Sequence, residues 1–528
     1  MNIKHIIVAL MLTVVAVSCQ FSDFEDNYRD PSRISESSIE KQFTGFIIAN
    51  RNYVLPSYDN YFINLRITLN RFTHSIGWVN GENQYVPGSA AINNRWNNYY
   101  QFLAQYRELE KIYAGLTPQQ QTDYRLFMIT AATYLYDHTQ KIVDLHGDIP
   151  WSKAGMLSTN GGNFGISYPE YDTAESIYTK MLDDLAGFAD ELRTLTINPG
   201  IKVGFDNQDL INRGDIDQWL RYINSLRIRM LTTVSGTTAF GARANTEIAA
   251  ILANPGNYPI VSSNAHNINF RIHTLGTLIG ATSFQSGLED WNGNVAGKFL
   301  VDHMVENGDP RLTYLFEPGL EAEEGEFITM DPLENQNFQT ILVATGTLAI
   351  YNRSTTSRNQ FFPGVLINSA QVHLMLAEHF AKQNQNAQAK QHYETAIKES
   401  IGYYQNLRAL SNNAISPAPA AITPAHIDAY LAAPAVSWET ASTTADRIRL
   451  IARQRWLHFN VIQPNENWTD FRRQNVLGLP FWEDPFNPQR FPPNRWIYPD
   501  SEQTFNPDNY ARVQPTDNLT TRIFWHVN

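Results

Sequence analysis

The chain has 528 residues and a net charge of −12 with no basic patch, which excludes a nucleic-acid surface, since that requires clustered Lys and Arg. Apolar residues make up 43 %, enough for a large core, and this excludes disorder as the native state. The single cysteine, Cys19, leaves no partner for an intramolecular disulfide.

The N-terminus has the anatomy of an export signal. Lys4 supplies the positive start and Ile6 to Val17 an apolar stretch too short to span a bilayer. It ends in Ala16-Val17-Ser18-Cys19, the pattern cleaved by lipoprotein signal peptidase. Residues 1–18 are read as a signal peptide and Cys19 as a diacylated anchor, which removes the thiol from any catalytic or metal role. Residues 19–35, with Asp23, Glu25, Asp26 and Asp30, read as an acidic tether, and Asp23, Glu25 and Asp26 are expected to direct export to the outer leaflet. No second apolar run of spanning length follows, so residues 36–528 are expected to form one anchored domain.

Helical periodicity opens at Glu36 to about Asn52, through Ile39, Phe43, Phe46 and Ile47. A stretch dense in Asn, Gly and aromatic residues, 55–93, reads as loop. Helices are predicted at 93–115 and 118–145, the second capped by Thr117-Pro118 and stopped by Gly147 and Pro150. Two more pairs follow, 171–195 with 215–235 and 363–383 with 386–407. The central third, 236–362, reads as irregular, with a strand-like run at 340–351. An Ala/Pro-rich insert at 414–436 precedes a last helix at 441–461, and the chain from Pro464 onward reads as loop. The fold class is therefore mainly α: tetratricopeptide-like helix pairs forming a scaffold with long irregular loops and few short strands. Loops of that length in a compact domain point to function.

Catalytic and metal motifs fail on spacing. His373 and His379 are six residues apart, whereas a helical zinc pair needs i and i+4. Gly293 to Lys298 is one residue short of a phosphate loop, and Phe299 occupies the place of its hydroxyl. Asp290-Trp291-Asn292-Gly293-Asn294 opens like a calcium loop but has Val295 and Val301 at its sixth and twelfth positions. The cluster Glu321 to Glu326 reads as a solvated loop. No cofactor or metal site is expected, and no catalytic residue is assigned.

Six segments in order resemble the SusD/RagB family of nutrient-binding outer-membrane lipoproteins, most closely its SusD-like branch. They are Leu145-His146-Gly147-Asp148-Ile149-Pro150-Trp151, Tyr171-Asp172-Thr173 with Ile177-Tyr178, and Trp219 followed by Asn224-Ser225-Leu226-Arg227-Ile228-Arg229. Asp309-Pro310-Arg311-Leu312, Leu376-Ala377-Glu378, and Arg495-Trp496-Ile497-Tyr498-Pro499 with Glu502, Asn506 and Asn509-Tyr510 complete the series. Physically these are scaffold residues: Asn224 and Arg227 are expected to satisfy loop carbonyls, and Asp470 with Arg472 and Arg473 to pin the C-terminal segment.

The resemblance implies a surface-exposed protein of the cell outer membrane, anchored by lipid, that lids a SusC-like TonB-dependent transporter. It would capture an oligosaccharide or a peptide and deliver it, without catalysis or cofactor. An adhesive lipoprotein and a surface glycan-degrading enzyme are the alternative classes. Glycan recognition needs aromatic platforms beside amides. Two loops supply both, and the candidates are Trp78, Asn80 and Tyr85 in one, Trp291 and Asn292 in the other. On sequence alone Trp78 and Trp291 fit equally well as buried loop anchors.

Overall fold

Several of the long helices start at a side-chain cap, and all of them bury apolar residues. The computed structural model describes residues 37–527; Cys19, the signal segment and the acidic tether lie outside them. Ser38 caps α1 (Ile39–Ala49), whose Phe43, Phe46 and Ile47 are wholly buried. Behind it come α2 (Ser89–Ala114) and α3 (Arg125–His146), then α4 (Ala174–Thr194) and α5 (Ile216–Val234). The next long helices are α6 (Gly241–Ala253), α7 (Ser369–Lys382), α8 (Asn386–Leu410), α9 (Thr444–Phe459) and α10 (Pro464–Gln474). Helices α2 and α3, α4 and α5, α7 and α8, and α9 and α10 pack as four consecutive pairs, and α5 bridges to α3 and α7. Among the described residues no helix is long and apolar enough to cross a membrane.

Most of the expected helices form near the expected bounds, with six corrections. The segment 118–145 divides at Tyr124 into a capped turn, Pro118–Asp123, and α3. Residues 340–351 are not a strand run: Asn335 caps a helix, Gln336–Ala344, and only Ile350–Tyr351 is extended. The irregular third contains α6 and Lys298–Glu306, and the Ala/Pro insert contains Pro424–Ala432 behind a Thr423 capping box. Residues 55–93 contain a π-helix, Asp59–Arg66. Pro464, read as the start of a loop-like tail, is the first-turn residue of α10.

The six sequence segments are the joints of this scaffold. Strands β1 (Ile149–Pro150) and β2 (Tyr171–Asp172) pair antiparallel, so the first two segments form one small hairpin. Asp148 Oδ1 accepts the Ala174 N–H at the start of α4 (2.8 Å), and Asp172 Oδ2 accepts the Trp151 and Ser152 N–H groups. The terminal segment docks on the same place: Trp496 N–H donates to the Leu145 carbonyl (2.7 Å) and the Tyr498 hydroxyl to that of Asp148 (2.6 Å).

Buried charges lock the helix pairs together. Arg229 on α5 donates to Asp137 (2.6 Å) and Gln140 (2.9 Å) on α3, and the Tyr222 hydroxyl donates to the other Asp137 oxygen. Arg311 forks onto Asp309 and reaches Ser400 on α8 and Gln454 on α9. Glu378 on α7 receives Arg473 of α10, Lys382 and Arg455 of α9; burial pushes its carboxyl up, but these three cations hold it well below the usual carboxylate range. Asn224 donates to the Pro259 carbonyl as expected, whereas Arg227 pairs with Glu247 instead of a loop carbonyl. Arg472 pins the C-terminal segment through the Asn494 and Asp144 carbonyls, while Asp470 and Arg473 serve the Glu378 cluster.

Candidate carbohydrate-binding face

The two candidate loops meet. Ile76 and Ala296 form an antiparallel bridge, and the Gly77 N–H donates to the Val295 carbonyl at 2.9 Å. This approach requires glycine at 297, because a Cβ there would lie 1.9 Å from the His74 carbonyl oxygen. The bridge leaves the tip of the second loop in solvent. Trp291 is 83 % exposed, and both it and Asn292 sit in the left-handed region, with φ of 57° and 56°. Two successive non-glycine residues there cost on the order of 1–3 kcal/mol each, so the surrounding contacts must impose the shape. Glu289 supplies part of that restraint, accepting both forks of Arg358 (2.9 and 2.8 Å) and the Ser357 hydroxyl (2.6 Å).

A neighbouring platform comes from the segment read as loop. The helix Phe284–Glu289 packs on the π-helix Asp59–Arg66, with the Tyr61 and Phe284 rings 4.6 Å apart. Tyr58 stacks on Phe62 at 4.7 Å and 13°, and the Arg66 guanidinium lies 4.2 Å from the Phe62 centroid. All three are half-buried. The Arg66 side chain runs against Gly293, whose missing Cβ would come within 2.6 Å of it, so this stack adjoins the Trp291 loop. Sequence reasoning missed Tyr58, Phe62 and Arg66; their i, i+4, i+8 spacing was the available signal.

The first loop contributes differently. Trp78 is half-buried, stacked on His74 (5.5 Å, 22°), and donates its indole N–H to Gln84 at 3.1 Å. Burial pushes the His74 imidazole down to about 3, so it is a neutral ring in a packed stack with Phe481. Asn80 and Tyr85 are enclosed. Asn80 donates to the Pro332 and Glu334 carbonyls, and the Tyr85 hydroxyl donates to the Trp482 carbonyl at 2.8 Å. Both side chains are enclosed, and the Asn80 amide N–H groups and the Tyr85 hydroxyl hold loops together, whereas the sequence reading placed these residues beside the ligand. Trp291 and Asn292 are the candidates that remain open to solvent.

Beside this face lies a cleft of about 400 Å³, lined by Gln285, Arg358, Gln360, Asn412 and Asn413. Arg358 is the residue that fixes Glu289, so the cleft and the Trp291 loop share a restraint. A flat exposed indole, an aromatic–guanidinium stack and an amide-lined cleft are the chemistry that binds a pyranose face and its hydroxyls.

Comparison with known proteins agrees with this architecture. A SusD-like family model, described as "Starch-binding associating with outer membrane", matches residues 36–499. The chain belongs to this SusD-like family of outer-membrane-associated binding proteins. Among solved structures, a chitin-binding protein is similar at 20 % identity and a TM-score of 0.72, over 92 % of this chain and 100 % of that one. A chitin-binding SusD homologue from Flavobacterium johnsoniae is similar at 18 % identity and 0.67, over 93 % and 99 %. A SusD homologue from Bacteroides fragilis NCTC 9343 gives 18 % and 0.72, over 93 % and 100 %. No curated protein matches the chain in sequence.

Proposed function

We propose that this protein captures a glycan at the cell surface and passes it to a SusC-like TonB-dependent transporter, for which it acts as the lid. The observation that carries the reading is Trp291, a large apolar ring held in water by a strained, well-braced loop. The Tyr58–Phe62–Arg66 stack and the amide cleft provide adjoining contacts, and Asn292 and Trp78 stand beside them. Cys19 anchors the chain in the outer membrane through its acyl chains, so residues 1–18 are absent from the working protein and residues 19–35 form the tether. Binding and release need no cofactor, metal or bond cleavage.

Oligosaccharides are favoured over peptides because the face offers rings and neutral amides. Two similar structures are of proteins described as chitin-binding, so chito-oligosaccharides head the panel, followed by malto-oligosaccharides and oligopeptides. The test is a binding screen of the full chain in detergent against that panel. Saturable binding of one glycan class supports the reading; binding of peptides alone, or of nothing, overturns it.

A further inference from the structure

The largest cleft near the hairpin, about 790 Å³, is made by other elements and shares no residue with the Trp291 face. Its floor is α2, where Trp96 and Tyr100 are held in place: the Trp96 indole donates to Glu502 and the Tyr100 hydroxyl to the Pro150 carbonyl at 2.8 Å. Gly155 lets the loop after β1 close against α2, since a Cβ there would sit 3.2 Å from the Ala104 backbone. One wall is the terminal helix Asp500–Phe505 and the other is the segment before β2.

Three side chains of α2 face this space without structural employment. Asn93, Asn97 and Gln101 are exposed, and their side chains make no hydrogen bond to another of the described residues. Spaced by four, they form one row with steps of about 6 Å along the helix, comparable to the length of a pyranose ring. Each amide offers a donor and an acceptor, as a sugar hydroxyl pair requires. Phe505 (69 % exposed) and Tyr168 (52 % exposed) present rings from the two walls. Among the described residues that line the cleft there is no Lys or Arg, while Asp500 and Glu502 carry negative charge. That balance disfavours phosphorylated, sulfated or uronic ligands and suits a neutral saccharide.

We infer that this cleft is a second, independent binding site for a neutral oligosaccharide, with Phe505 and Tyr168 as stacking rings and the Asn93–Asn97–Gln101 row as hydroxyl partners. It extends the glycan reading of the Trp291 face and rests on the same ligand class. Two sites on one lid would hold separate stretches of a long chain and raise its effective concentration at the surface.

The test is calorimetric titration of the full chain in detergent with chitohexaose and, separately, maltohexaose. Four proteins are compared: wild type, Trp291→Ala, the double variant Tyr168→Ala/Phe505→Ala, and Asn97→Ala/Gln101→Ala. All the replaced side chains are exposed, and unchanged thermal midpoints will verify folding. The inference expects two sites per chain in wild type, with the Tyr168/Phe505 and Asn97/Gln101 variants each weakening one of them about tenfold. Trp291→Ala must leave that site intact. Loss of binding in the Tyr168/Phe505 variant with no effect of Trp291→Ala would support this cleft and refute the Trp291 face. A stoichiometry of one that only Trp291→Ala removes would overturn the inference and leave the first reading standing. The inference would equally fall if the cleft variants bind both glycans normally but lose co-purification with the transporter, which would make it a protein contact.

Discussion

Tyr171 donates its hydroxyl to Glu502 at 2.7 Å, joining residues 331 positions apart. The second Glu502 oxygen accepts the Trp96 indole, so one carboxylate ties the hairpin strand, α2 and the terminal helix together. Phenylalanine at 171 keeps the ring and removes the charge-assisted bond. Tyr171→Phe is expected to lower unfolding free energy by about 2 kcal/mol, read from the urea midpoint.

The Asp137–Arg229 pair is almost wholly buried, and without Arg229 the Asp137 carboxylate keeps only Lys141 at 3.3 Å and the Tyr222 hydroxyl. Arg229→Ala is expected to cost about 3–5 kcal/mol, whereas replacing both with apolar residues of similar volume should cost much less. A double-mutant cycle by chemical denaturation checks this.

Buried neutral histidines make the fold acid-sensitive. Burial pushes His458 and His74 down to about 3, and His303, His392 and His526 to about 4. Their unfolded counterparts take up protons first, near pH 6.5, so stability present above that pH is lost as pH falls towards about 4. Asp144 acts in the opposite sense. Burial raises its carboxyl to about 6, and the stability it contributes at low pH disappears as pH rises through that value. Five histidines outweigh one carboxyl, so the denaturation midpoint is expected to drop between pH about 6.5 and about 4.

Trp291 sets function against stability. Glycine accepts its left-handed backbone without strain, so Trp291→Gly should raise stability by up to about 1 kcal/mol while removing the indole. Thermal unfolding beside glycan titration measures both effects.

The helical frame was legible because its signals are local. Ile39 to Ile47 repeats at helical spacing, and Thr117 caps the helix that opens at Pro118 as expected. Pro464 misled because a proline that ends one helix and a proline that begins the next look alike until the chain reverses. The site was only half legible. Sequence puts Trp78 and Trp291 first with Tyr85 beside them, and only tertiary packing separates the enclosed Tyr85 and half-buried Trp78 from the exposed Trp291. Asn80 was lost for the same reason: its acceptors, Pro332 and Glu334, lie some 250 residues away. The Arg66–Gly293 contact depends on a π-helix within a segment that reads as loop, and on a partner more than 200 positions away.

The proposed function turns on Trp291 as the side chain that holds the ligand. Its most direct test is calorimetric titration of the full chain and of Trp291→Ala with the glycan found in the screen. Affinity at this face is expected to fall about tenfold or more, with an unchanged thermal midpoint. Equal affinity in the two proteins would contradict it.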